Sequence, residues 1–354
     1  MKNTLLGIIE GFYGKPYKEE DRLDLCTFLK KQNLDFYLYA PKNASYLRKA
    51  WVNNLTNNEI NLLTTLSTHC HNLNLKFGFG ISPLQICKNY QNLLPLLIKK
   101  ISYLAKKTQA QIICLLFDDI EIDKNEGKIQ NIIIKEVYKN LPSEVERLIV
   151  CPSYYSEDPI LEKVFGPKPK NYFQDLRADL PDSISFFYTG PQVLAKDITP
   201  NNILHAQNFL GANIAIWDNY PVNDGKNICN KIYTKPLSGR RNLNGMVALH
   251  ALNPMTECHL SKISISSLKA TYANLPALQI LTLQDTVIKE LFKEQYNNIK
   301  PYLTILQDYG IQALSDEQRI RLQALLSKIK TPASIELLDF LAGIYKFDEA
   351  CLTS

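Results

Sequence analysis

The sequence predicts a (β/α)₈ TIM barrel followed by a C-terminal helical appendage, and three observations carry that expectation. Short apolar runs recur at residues 5–10, 36–40, 75–81, 112–117, 148–151, 184–188, 213–217 and 246–250, which is the strand count of such a barrel. Polar–apolar mixtures with helical spacing fill the gaps between them. From about residue 271 no further strand run appears, and apolar residues recur only at helical spacing.

Each run is short, and several are apolar on consecutive residues, as strands buried on both faces of a parallel sheet are. A helix is expected after every strand. The stretches 21–29, 58–73 and 93–105 are amphipathic at helical period. His69 and His71 lie in the second of these and are assigned to one face of that helix rather than to a metal. An open doubly wound sheet would carry a glycine-rich phosphate turn after its first strand, and Gly11-Phe12-Tyr13-Gly14 lacks that spacing. Beyond the last run, residues 280–292 and 302–306 read as helix. Ser315-Asp316-Glu317-Gln318 is a capping box, and another helix follows Pro332. The expected division is a catalytic barrel over residues 1–270 and a helical region over 271–354.

Composition narrows the function. Apolar content of 45% and charged content of 21% describe an ordinary globular protein. A net charge of +5 over 354 residues, with no block of five basic residues, argues against a nucleic-acid partner. No run of 18 apolar residues exists to span a membrane, and the apolar stretch ending at Ile9 is too short for a signal peptide. The eight cysteines form no C-x-x-C pair and read as buried thiols in a reducing compartment. The expected address is cytoplasmic, with no metal or cofactor and with the oligomeric state left open.

The chemistry is concentrated where the run at 112–117 meets Asp118-Asp119. The carboxyl ends of strands are where parallel-strand enzymes place their reacting groups. Adjacent aspartates have no packing use there, because neither is desolvated without a partner. Such a pair suits acid–base work on an acetal, or a metal. Neighbours in a strand face opposite ways, so both carboxyls reach one ligand only if the strand ends at Phe117 and the chain turns. Adjacent carboxyls do not flank a sugar from opposite faces as the usual glycosidase pair does. They suit a reaction whose nucleophile belongs to the substrate, with one aspartate holding a 2-acetamido group and the other protonating the leaving oxygen. Nearly every other strand end, from Glu10-Gly11-Phe12-Tyr13 through Ser82-Pro83 to His250-Ala251-Leu252-Asn253, offers groups able to bind or stack on a sugar.

The segment Gly7-Ile8-Ile9-Glu10-Gly11-Phe12-Tyr13-Gly14-Lys15-Pro16-Tyr17 resembles the opening motif of glycoside hydrolase family 84, and Leu115-Leu116-Phe117-Asp118-Asp119-Ile120 resembles its catalytic strand. Similar segments follow in the family's order: Tyr37-Leu38-Tyr39-Ala40-Pro41-Lys42, Cys151-Pro152, Tyr188-Thr189-Gly190-Pro191, Ile216-Trp217-Asp218-Asn219-Tyr220-Pro221-Val222-Asn223-Asp224 and Ala251-Leu252-Asn253-Pro254. The resemblance covers about residues 5 to 265. The family consists of retaining β-N-acetylglucosaminidases and includes protein O-GlcNAcases, so the resemblance implies a GlcNAc-bearing glycoconjugate as substrate and an oxazoline intermediate. It implies that Asp118 orients the acetamido N–H, that Asp119 is the general acid and then base, and that Tyr155 hydrogen-bonds the attacking acetamido oxygen. As the acid, Asp119 is expected to start protonated at neutral pH, since a like charge next door pushes a carboxyl pKa up. It assigns Gly11, Lys42, Asn219, Asp224 and Asn253 to the sugar hydroxyls, and Tyr13, Thr189, Val193 and Trp217 to the walls and the acetamide pocket.

Some positions depart from the family pattern. Lys15 and Tyr17 stand where the family more often has arginine and tryptophan, and Tyr154 stands where it has an acidic residue, which is expected to alter the outer shell of the pocket. The stretch 121–141 looks short, so the helix after the catalytic strand is expected to be trimmed. Glu10 reads as structural, tied to backbone or to Lys42, and Cys151 as core. Three alternatives compete with the main reading. A D-D-x-x-D metal motif would need an aspartate where Ile122 stands. A hyaluronan- or chitin-cleaving enzyme would need a groove rich in aromatic subsites, and the chain has two tryptophans. A catalytically weak glycan-binding barrel would not need both aspartates.

Overall fold

Apolar runs without polar alternation bury both faces of a strand, and a closed parallel sheet ringed by helices satisfies them all. The computed structural model describes residues 3–119 and 126–352. Its strands are β1 (Leu5–Glu10), β2 (Phe36–Tyr39), β3 (Lys76–Ile81), β4 (Ile112–Leu116), β5 (Arg147–Cys151), β6 (Ser185–Tyr188), β7 (Ile214–Asp218) and β8 (Leu249–Leu252). They pair in parallel in chain order, and β8 returns to β1 with Leu5 opposite Leu249. Close strand approach excludes side chains in places: a Cβ on Gly78 would sit 2.5 Å from the Ile112 carbonyl oxygen.

The surrounding helices are α1 (Glu19–Lys31), α2 (Asn57–Asn72), α3 (Tyr90–Thr108), α4 (Glu126–Lys139), α5 (Pro159–Phe165), α6 (Tyr172–Arg177), α7 (Pro200–Leu210), α8 (Cys258–Ile265) and α9 (Leu268–Tyr272). Then come α10 (Ala277–Phe292), α11 (Tyr296–Asp308), α12 (Asp316–Ile329) and α13 (Pro332–Leu341). The Ser315 capping box opens α12 as its sequence requires. The helices after the barrel pack on α8 and α1: Glu336 Oε2 accepts the Leu260 N–H at 2.8 Å, and Lys31 meets Glu290 at 2.7 Å. Among the described residues, no helix is long and apolar enough to cross a membrane.

Several expectations are corrected. A helix does not follow every strand: residues 219–248, between β7 and β8, contain no α-helix. Pro221, Gly225, Pro236, Gly239 and Gly245 with five asparagines between them interrupt any helical period there. β8 starts at Leu249 rather than near Met246, so His250 lies inside the strand. α4 has 14 residues, between the 13 of α1 and the 19 of α3; residues 121–125 and Ile120 lie outside the described residues. His69 and His71 do not share a face. Two residues apart on α2, His69 reaches Leu23 and Thr27 while His71 reaches Gln111. Cys26, Cys70, Cys114, Cys151 and Cys258 are buried free thiols.

At the end of β1, Glu10 is fully buried and is tied to Arg22 and Tyr37, not to Lys42 or backbone. Arg22 of α1 grips both carboxylate oxygens, at 2.9 and 2.7 Å, and the Tyr37 hydroxyl donates to Oε2. The fork of a guanidinium matches a carboxylate in this way, and the pair locks α1 to the strand that leads into Gly11. Removing one partner strands a buried charge. Arg22→Ala is expected to lower stability by about 3–5 kcal/mol in urea unfolding; a loss under about 1 kcal/mol would mean that Glu10 is held otherwise.

Candidate active site

The carboxyl ends of seven strands converge on one cavity of about 540 Å³, its open mouth included. All twelve residues singled out from the sequence line it: Gly11 and Tyr13 after β1, Lys42 after β2, Asp118 and Asp119 after β4, Tyr155 after β5, Thr189 and Val193 after β6, Trp217, Asn219 and Asp224 at β7, and Asn253 after β8. β3 contributes none, so Ser82 and Pro83 are not part of the wall. His250 is not either. It is buried in the barrel, where its Nε2 meets Asp218 at 3.0 Å and its Nδ1 meets Tyr272 at 2.8 Å.

The two aspartates reach the same cavity because the strand stops early. β4 ends at Leu116, one residue before the expected end, although the Phe117 N–H still donates to Cys151 O at 2.8 Å. Asp119 then adopts a left-handed backbone with φ 56°, a conformation that aspartate tolerates better than most residues. This turn cancels the strand alternation that would have sent the carboxyls apart.

Lys42 lies between them. Its ammonium pairs with Asp118 Oδ2 and stands 3.4 Å from Asp119 Oδ2, with all three side chains less than a tenth exposed. Asp119 also accepts from the Tyr13 hydroxyl at 2.5 Å and from the Tyr155 hydroxyl at 3.4 Å. Behind Tyr13, the Arg48 guanidinium donates to the phenol oxygen at 3.3 Å. Asp118 differs from its neighbour in one respect: its Oδ1 is buried with no hydrogen-bond partner among the described residues. An orphaned buried acceptor is costly unless something donates to it.

A chain of neutral amides forms the opposite wall. The Gly11 N–H donates to Asn253 Oδ1 at 3.2 Å, and Asn253 Nδ2 donates to Asn219 Oδ1 at 3.1 Å. The same oxygen accepts from Trp217 Nε1 at 3.1 Å, while Asn219 Nδ2 donates to Val193 O at 2.9 Å. Gly11 is required here, because a Cβ would lie 2.3 Å from the Trp217 ring. Asp224 accepts the Tyr13 backbone N–H at 2.8 Å.

The electrostatics overturn one expectation. The sequence argument has Asp119 start protonated because a like charge stands next door. Burial does push its carboxyl up, but Lys42, the Tyr13 hydroxyl and Arg48 together outweigh that and hold it below the usual carboxylate value. Burial raises a different group, Asp224, to about 6. Lys42 is pushed down by burial and up by more from the two carboxylates.

Other residues of the site were not legible beforehand. Arg48 has no motif. Arg240 grips Asp218 at 2.8 and 2.9 Å and donates to Ala195 O at 2.6 Å, fastening the loops after β6 and β7 together. Leu194, Val222, Gly225, Ile228 and Cys351 complete the lining, and Cys151, expected in the core, is buried yet also faces the cavity. Tyr154 turns away from it. Its hydroxyl donates to Gly166 O at 2.7 Å and its ring meets Tyr172 edge-on, so this departure acts on the fold of the loop and not on the pocket's outer shell. Tyr17 likewise packs on Phe12.

The beta-N-acetylglucosaminidase (NAGidase) family pattern matches residues 6–303. The chain is 28% identical over 286 residues to the protein O-GlcNAcases of Rattus norvegicus and Mus musculus. Those alignments take in 77% of this chain and 30% of each relative, so the chain spans under a third of their length. Among solved structures it is similar to CpGH84B, with a TM-score of 0.78 at 24% identity over 96% of this chain and 67% of that one. It is similar too to a mutant of Thermobaculum terrenum O-GlcNAc hydrolase, with a TM-score of 0.74 at 24% identity over 95% and 80% of the two chains. At that identity the structures show a shared fold.

Proposed function

The chain belongs to the β-N-acetylglucosaminidase family of glycoside hydrolases, and we propose that it is a retaining exo-enzyme that removes terminal β-linked GlcNAc, with the substrate's own acetamide as nucleophile. The observation that carries the mechanism is the difference between the two aspartates. Asp118 has one oxygen committed to Lys42 and one buried without a partner. An acetamido N–H supplies the missing donor, and accepting it makes the amide oxygen more nucleophilic. Asp119, which contacts two phenols, then serves as the acid that protonates the leaving oxygen, and later as the base that activates water against the oxazoline. Tyr155 steadies the acetamido oxygen as it attacks.

In this reading Lys42, Asn219, Asp224 and Asn253 bind the sugar hydroxyls, and Trp217 forms the floor. Lys42 gives the site a means of setting the charge on Asp119. Burial is the largest influence on that carboxyl, and it is overcome only because Lys42, Tyr13 and Arg48 act together. A sugar hydroxyl that draws the ammonium aside leaves burial dominant, and Asp119 takes up the proton that it must donate. A polymer-cleaving alternative has little support, since the cavity wall contains a single tryptophan. The natural glycoconjugate is taken to be a GlcNAc-modified protein or a small glycoside.

The two aspartates are separable by leaving group. General acid catalysis is worth roughly 10²–10⁴-fold, so Asp119→Ala is expected to lose most activity on alkyl or peptide glycosides and much less on dinitrophenyl β-GlcNAc. Asp118→Ala is expected to be damaging with every leaving group. Single-turnover rates over an aryl series read this directly, and identical dependence in both variants would show the roles to be wrong.

An acid must be protonated, so activity falls as pH rises through its pKa. The kcat/KM profile follows the free enzyme, where Asp119 is depressed, and kcat follows the complex. The basic limb of kcat is therefore expected at higher pH than that of kcat/KM. Coincident limbs would mean that the substrate does not displace Lys42.

A further inference from the structure

After α13 the chain returns across the mouth of the barrel. Lys15, in the loop after β1, pairs with Asp339 at 3.6 Å and stands 4.8 Å from the centre of the Tyr345 ring. The backbone of Lys346 lies against Gly14, where an added Cβ would be 3.7 Å from the Lys346 carbonyl oxygen. The Phe347 backbone faces the Cys229 thiol in the loop after β7, near enough to temper the effect of burial on it. Asp348 then closes a turn, its carbonyl accepting the Cys351 N–H at 2.9 Å and its Oδ1 accepting the Ala350 N–H at 3.0 Å. Cys351 becomes part of the cavity wall, with Gly225 and Ile228 of the β7 loop.

Tyr13 tells which end of the cavity this is. Its backbone N–H donates to Asp224 and its hydroxyl donates to Asp119. The proposed proton donor and Asp224 are thus separated by the length of one tyrosine. Asp119 marks the leaving-group side, at C1 of the sugar. Gly14 and Lys15 follow Tyr13, and Gly225 to Cys229 follow Asp224, so the segment fastened to both loops lies toward the opposite side of the ring, where C4 and C6 are.

We propose that residues 345–351, with Cys351 at the cavity, form the wall that restricts this site to a GlcNAc unsubstituted at its 4- and 6-hydroxyls. The inference rests on the function proposed above and gives the segment after the last helix a role in specificity. A substituent at either hydroxyl meets a buried thiol on a turn held by two hydrogen bonds to Asp348, and overfilling a packed wall is unfavourable. It also removes a donor from Asp224, a partly buried carboxylate that accepts the Tyr13 N–H.

The test compares wild type with full-length Cys351→Trp and with a variant ending at Gly343. The substrates are nitrophenyl β-GlcNAc and its 4-O-methyl and 6-O-methyl derivatives. Wild type is expected to disfavour the methylated sugars by about 10–200-fold in kcat/KM, the range a single misfitting methyl commands. The shortened variant is expected to narrow that ratio at least about tenfold. Cys351→Trp is expected to raise KM for the parent glycoside without changing the leaving-group dependence of kcat, and it reads the same wall if the shortened chain does not fold. An unchanged methyl ratio in the shortened, folded variant, or an unchanged KM in Cys351→Trp, overturns the inference while leaving the proposed hydrolysis intact. Failure of wild type to release GlcNAc from the parent glycoside overturns both.

Discussion

The chain leaves β4 through a left-handed residue, Asp119 at φ 56°, and the character of the cavity follows from that turn. It brings two neighbouring carboxyls to the same side of the barrel mouth, where a regular strand would have separated them. Two buried anions with no cation between them would cost several kcal/mol, so the turn is tenable only with Lys42 in place. Lys42 comes from the end of β2, two strands away, and is itself buried. The position of one ammonium thereby joins two distant pieces of sequence, and it also holds the Asp119 carboxyl below its usual value.

The rest of the site holds that group in register. On one side, Tyr13 spans from Asp224 to Asp119, with Arg48 behind it. On the other, the amides of Asn253 and Asn219 tie the Gly11 backbone to Trp217 and Val193. These amides carry no charge, so they orient hydroxyl-bearing ligands without disturbing the ion cluster. Glu10 and Arg22 beneath β1, and Asp218 and Arg240 beneath β7, anchor the strands from which both walls grow. Asp218 is held down to about 2, because Arg240 and His250 outweigh its burial. As a depressed carboxyl it stabilises the fold above pH 4, and that contribution fades as pH falls toward 2.

Much of this was legible in the sequence because barrel strands are short, apolar and periodic, and because chemistry at their carboxyl ends stands out against the core. The twelve residues named from motifs all line the cavity. What sequence did not reveal follows from physics that a linear pattern does not encode. The β7–β8 connection is rich in glycine, proline and asparagine, and its fold is set by tertiary hydrogen bonds, so no period announces that it has no helix. Arg48 and Arg240 act through contacts fixed only in three dimensions. The charge on Asp119 depends on Lys42 and Arg48, which follow β2 and lie far from it in sequence, as well as on its adjacent carboxyl. Cys351 lies 98 positions beyond Asn253 in the sequence, and nothing local marks it as part of the site.

The account stands on the claim that the nucleophile is the substrate's acetamide, polarised by Asp118. A series of aryl β-glycosides bearing acetyl, fluoroacetyl, difluoroacetyl and trifluoroacetyl groups on the 2-amino nitrogen tests that claim most directly. Each fluorine withdraws electrons from the attacking oxygen while barely changing the size of the group. With the acetamide as nucleophile, kcat is expected to fall steeply and progressively across the series. A flat dependence would contradict it and point to a nucleophile supplied by the protein.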